Sequence, residues 1–377
     1  MIKFLNSTIA FGLSTCFIIS CDTNQDKTKE NVVKREVVLD TVFANRLFDL
    51  NKDELTGADG AISVDLKDGR SLFLWGDSFF GSVVNDTRQA PVAFMMGNVF
   101  TTISDKEVKH HYNGTKTSPS SVIIPDNTVH EHEWYWPGNG FTRDNTLFMF
   151  MSKFYKTSSD LFGFEYIDCD LFALNKENFE IKRKTNIPEA KASDIHFGHA
   201  VVDEGKYVYV YGAKSINEKF EANVHVARCE VSEDQLINFE FWDGVKWGKD
   251  VHQSASINGQ IEAVSEQFSV FKYGDDYILL SQDRYKKPKR IYTYTSKNPE
   301  GPFVNRRLIY TVDEPNFEVD NMFTYNAMAH PQHIKDNKLL VSYNVNTMDQ
   351  QKIWVKASLY IPRFFWVPME LIVDNKD

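Results

Sequence analysis

The stretch Ala61-Ile-Ser-Val-Asp-Leu-Lys-Asp-Gly-Arg-Ser-Leu-Phe-Leu-Trp75 holds two short apolar runs around a polar Lys67-Asp68-Gly69 centre. The first run alternates apolar with polar residues and the second is more strongly apolar. Both are short and bounded by turn residues, so the unit reads as a β-hairpin rather than a helix. With Gly69 in the left-handed position, the loop closes over three residues flanked by Leu66 and Arg70. The unit then returns. Arg143-Asp144-Asn145 precedes Leu147-Phe-Met-Phe-Met151, and His199-Ala-Val-Val202 leads through Asp203-Glu204-Gly205 to Tyr207-Val-Tyr-Val-Tyr211. Phe268-Ser-Val-Phe271 turns at Tyr273-Gly274-Asp275-Asp276 into Tyr277-Ile-Leu-Leu280. Lys335-Asp336-Asn337 precedes Leu339-Leu-Val-Ser-Tyr343. The turns recur roughly every 60 to 75 residues, which leaves room for four strands and their loops in each repeat. The expected fold is all-β, a five-bladed β-propeller. A sandwich or β-helix is the alternative, but a sandwich does not call for the same hairpin at a near-constant period.

Outward from the hairpins, residues 41–377 contain no Pro/Gly/Ser-rich linker and read as one domain. Residues 1–20 hold one early cation, Lys3, and an uncharged apolar run, the pattern of a secretory signal. It ends in Ile18-Ile-Ser-Cys21, which looks like a bacterial lipobox with Cys21 as the lipidated residue. Residues 21–40 are then the anchor and its tether, most clearly the polar stretch from Asp22 to about Arg35. The expected location is outside the cytoplasm, on a membrane through the lipid, facing the periplasm or the cell surface at the outer membrane.

A formal net charge of −10, with no cationic block to offset it, argues against a nucleic-acid partner. Of the four cysteines only Cys169 and Cys229 lie in the folded part, as a disulfide or as two buried thiols. His110-His111 and His130-Glu131-His132 read as solvated loop, and no metal or other cofactor is expected.

The register of the first hairpin carries the chemistry. Antiparallel pairing about a three-residue loop sets Asp59 directly opposite Asp77, on the same face at the end remote from the turn. Paired carboxylates are what glycoside hydrolysis uses, one protonated and one ionised. Aspartates beside glycine also cap turns, so the residues alone leave both readings open.

Thr56-Gly-Ala-Asp-Gly60 followed by Leu74-Trp-Gly-Asp-Ser-Phe-Phe-Gly81 resembles the opening of the domain-of-unknown-function family 4185 propellers. Part of that family is classed as glycoside hydrolase family 183, the endo-D-arabinanases. The likeness continues through Tyr135-Trp-Pro-Gly138, Phe197-Gly-His-Ala200 and Ser265-Glu-Gln-Phe-Ser269. It ends with Leu340-Val-Ser-Tyr-Asn-Val-Asn346 and Tyr360-Ile-Pro-Arg-Phe364. The resemblance implies that Asp59 and Asp77 are the catalytic pair of an endo-acting enzyme, and that the partner is a polysaccharide, D-arabinan of arabinogalactan-type glycans. A monomer is expected. Trp75, Trp136 and Tyr325 are candidates for stacking on sugar faces, although aromatic residues also fill such cores. Asn139, His199, Glu266 and Asn326 complete the candidate substrate-binding set, with Glu266 either a third acid or a rim residue and His199 either a ligand or a structural histidine. Another furanosidase, a lyase, or a non-catalytic glycan-binding protein are the competing functions.

Overall fold

The computed structural model describes residues 37–125, 130, 132–216, 221–257, 259, 264–283 and 289–374. Cys21 and the signal lie outside them. Each of the five hairpins forms the first two strands of its own antiparallel sheet. The first sheet runs Ile62–Asp65, Ser71–Trp75, Val99–Ile103 and Val108–His111. The second runs Glu133–Arg143, Thr146–Lys156, Phe164–Asn175 and Ile181–Asn186. The third begins His196–Asp203, Val208–Ser215, Glu221–Ser232 and Gln235–Trp242, and the fourth holds Ser269–Tyr273, Asp276–Gln282, Arg290–Ser296 and Val304–Thr311. The fifth takes Met322–Lys335, Lys338–Thr347 and Arg363–Pro368 from the end of the chain and Val38–Leu39 from its beginning.

Alternation along these strands gives every sheet two apolar faces, and one core cluster fills each space between successive sheets. Leu72 and Leu74 of the first sheet pack with Leu147 and Met149 of the second, while Phe73 and Trp75 pack with Leu340 and Phe364 of the fifth. The first strand of each sheet packs against that of the next, and that of the fifth returns to that of the first. At this junction His330 is bonded through its two ring nitrogens to Ser63 (2.7 Å) and Ser342 (2.9 Å). Histidine here ties two sheets together.

Two expectations need correction, and one open alternative is decided. The tether does not reach residue 40: Val37 is buried, Val38–Leu39 pairs with Arg363–Pro368, and Asp40 caps the helix Thr41–Leu47. The sheet that closes the cycle is therefore completed by residues before the first hairpin. His110 and His111 are not in a loop but end the strand Val108–His111, where they bond Thr101 and Thr102. Between disulfide and thiols the structure decides for thiols: Cys169 and Cys229 are buried in one core cluster and unpaired.

Candidate active site

The register of the first hairpin is the one that the three-residue loop requires. Ile62 pairs with Leu74 and Asp65 with Ser71, and Leu66 N–H closes the loop on the Arg70 carbonyl at 3.1 Å with Gly69 at φ +88°. The same register continues beyond the hairpin, where Ala58 pairs with Ser78 in a separate small sheet. Between these two pairings stand Asp59 and Asp77, joined by backbone bonds from Asp59 N–H to the Asp77 carbonyl (3.4 Å) and from Gly76 N–H to the Asp59 carbonyl (2.8 Å). The Asp59 carboxylate lies directly over Gly76, where a Cβ would collide with Asp59 Oδ1. Glycine at 76 is what lets the carboxylate approach the opposite chain.

Each carboxylate is half-buried and takes a different set of donors. Asp77 Oδ1 accepts the indole N–H of Trp136 (2.7 Å) and the backbone N–H of Gly97 (3.2 Å). Asp59 Oδ2 accepts the hydroxyl of Tyr325 (2.8 Å), and the hydroxyl of Tyr360 also bonds Asp59. Burial raises both carboxyls above their ordinary range. Asp77 is pushed up to about 7, first by burial and then by the charge of Asp59, against the pull of its two N–H donors. Burial and the Asp59 charge in turn hold the Tyr325 and Tyr360 phenols well above their usual range, so both remain donors. Two like charges this close favour retention of one proton between them.

The remaining candidates occupy corresponding breaks in the first strands. Asn139 sits in the bulge between Pro137 and Gly140, His199 in that between Phe197 and Ala200, and Asn326 in that between Tyr325 and Met328. Glu266 lies in the gap between Val264–Ser265 and Ser269–Tyr273. Bulges re-aim side chains out of the ladder, and here they mark the same end of several sheets. His199 is only 7% exposed, packs on His196 (4.3 Å) and Phe268 (5.8 Å), and leaves Nε2 without a hydrogen bond. Burial pushes its pKa down to about 4, so the ring is neutral.

Trp75 does not belong to the set. It is fully buried between the first and fifth sheets, stacks on Phe73 (5.6 Å), and donates its indole N–H to Thr101 (2.8 Å), leaving no face for a sugar. Conversely, Tyr360 and Gly97 hold the carboxylates without having been singled out. Tyr360 lies in a noted motif, but nothing local to Tyr360-Ile-Pro-Arg-Phe364 indicates that its hydroxyl reaches the opening of the chain.

Residues 42–369 match the family described as Domain of unknown function (DUF5005). No curated protein matches the chain. Among solved structures, a protein of Bacteroides ovatus ATCC 8483 provisionally described as a hydrolase is 20% identical, over 88% of this chain and 90% of that one, with a TM-score of 0.68. An exo-1,5-α-L-arabinanase from a bovine ruminal metagenomic library is 14% identical over 84% and 94%, with a TM-score of 0.44. A variant α-L-arabinanase of Cellvibrio cellulosa is 11% identical over 82% and 91%, with a TM-score of 0.42. The first likeness shows a shared fold; the other two are too loose to bear weight.

Proposed function

The chain belongs to the DUF5005 family, and from that footing we propose that it is a glycoside hydrolase whose catalytic pair is Asp59 and Asp77. What carries the reading is the opposed carboxylate pair itself, raised by burial and hydrogen-bonded to neutral donors. Asp77, pushed up to about 7, keeps a protonated fraction at neutral pH, and that form donates to the leaving glycosidic oxygen. Asp59 receives two tyrosine hydroxyls, which favour its anionic form, and faces the anomeric carbon as nucleophile or as base for water. Unequal surroundings thus divide two identical side chains into acid and anion.

The proposal extends to architecture, substrate and place. The five sheets are the blades of a five-bladed propeller, with the pair at the end of the cycle remote from the hairpin turns. The substrate is D-arabinan of arabinogalactan-type glycans, cleaved within the chain; its support is the ordered run of motifs from Thr56–Gly60 to Tyr360–Phe364. Cys21 carries a lipid that holds the enzyme on a membrane outside the cytoplasm. The functional test is incubation with D-arabinan, L-arabinan and inulin, followed by chromatography of the products. Asp59→Asn and Asp77→Asn should each lower turnover by about 10² to 10⁴ while glycan binding persists. Wild type that binds glycan without cleaving it replaces the enzyme with a binding protein. For the anchor, fatty-acid labelling should mark wild type and not Cys21→Ser; equal labelling removes that part.

A further inference from the structure

The loop 157–163 joins the second and third strands of the second sheet and holds its own shape. Thr157 and Ser158 N–H both donate to the Gly163 carbonyl (2.9 and 3.2 Å), and Gly163 N–H donates to the Asp160 carbonyl (3.0 Å). The phenyl ring of Phe162, in this loop, stands 46% exposed. A single exposed apolar ring is ordinary on a protein surface, so what distinguishes this one is its place.

What lies beside it gives the ring a purpose. Phe162 meets Phe323 of the fifth sheet (6.4 Å), and Phe323 meets Tyr325 (5.4 Å), whose hydroxyl bonds Asp59. In the other direction, Phe164 just past the loop stands edge-on to Trp136 (4.9 Å), whose indole bonds Asp77. The second and fifth sheets are not neighbours in the cycle, yet their rings meet. Aromatic contacts therefore run from each carboxylate to this one stretch of chain. The rings carry no charge, and the groups at the two ends are carboxylates.

We propose that Phe162 and Phe323 form a sugar-stacking platform for a unit of the glycan beyond the scissile linkage. This rests on the glycosidase reading, and it narrows the occupant to a neutral chain. Phenyl rings offer faces without hydrogen bonds, so they grip the apolar side of a furanose ring, and the carboxylate pair repels a uronate.

The test compares a D-arabinan dimer with a hexamer on wild type, Phe162→Ala, Phe323→Ala and Phe162→Trp. The ratio of kcat/KM on hexamer to that on dimer should fall about tenfold in either alanine variant, the effect of losing one ring contact, and recover in Phe162→Trp. An unchanged ratio, or equal loss on both lengths, overturns the platform and leaves the glycosidase standing. Should wild type bind without cleaving, the same ratio of affinities by calorimetric titration decides the platform on its own. Wild type that binds neither length, or that binds an oligogalacturonide more tightly than the neutral hexamer, overturns it.

Discussion

Glu314 and the Asp59–Asp77 pair both bury acid and both accept tyrosine hydroxyls, yet they keep different company. Glu314, its side chain 3% exposed, faces Arg363, which donates from Nε at 3.0 Å and Nη2 at 3.1 Å, and it also takes the Tyr343 hydroxyl at 2.7 Å. Among the described residues no cation pairs with Asp59 or Asp77, whose partners are two phenols, an indole and a backbone amide. A guanidinium that donates through two nitrogens fixes a carboxylate in place and makes it a brace. Neutral donors position a carboxylate without settling its charge, which leaves a proton free to move. At Glu314 the chain sets an arginine against a buried acid, and at the Asp59–Asp77 pair it sets neutral donors.

The largest consequence is at the brace. Glu314→Gln keeps the shape but leaves Arg363 facing a neutral amide, and should cost about 3 kcal/mol of stability, read as a lower urea midpoint. A change within error would mean that solvent satisfies Arg363 and that the contrast between the two sites is weaker than the geometry suggests.

At the carboxylate pair the sign reverses. Because the native pKa of Asp77 is raised from 3.8 to about 7, the folded protein holds a proton that the unfolded chain releases. The stability that this proton brings is full below 3.8 and is lost as pH rises through 7. Asp77→Asn escapes that loss, so at pH 8 it should melt higher than wild type by roughly 2 to 4 °C, with the gap closing near pH 4. A variant less stable than wild type at pH 8 would make Asp77 a structural acid like Glu314.

The smallest effect separates the two aspartates from each other. The Trp136 N–H draws the Asp77 pKa down, so Trp136→Phe should move the alkaline limb of the kcat/KM profile to higher pH by about half a unit. Movement of that limb to lower pH, or of the acid limb alone, would exchange the roles of Asp59 and Asp77.

Much of this contrast was invisible along the chain. The Asp59–Asp77 opposition follows from a turn of known length and strict alternation, both local. Trp75, two residues before Asp77, shares its alternation, and the sequence offers no reason to treat them differently. Packing does: Trp75 still lies between sheets, whereas Asp77 stands just past the end of its strand. Glu314 sits in an unremarkable Asp-Glu-Pro segment, and its partner Arg363 is 49 residues away.

By itself the sequence determined the hairpins, their period, the register of the first one and hence the face on which two aspartates meet. These depend on side-chain alternation and on the loop residues each turn tolerates, which act over a few neighbours. Only the tertiary structure decided which donors reach those aspartates. Tyr325 is 266 residues from Asp59 in the chain, and it arrives because the fifth sheet returns to the first. The same return buried Trp75 and brought the Phe162 loop against Phe323. The charge state of the pair therefore depends on how the cycle closes, because burial and long-range hydrogen bonds come into being only when separate sheets pack together.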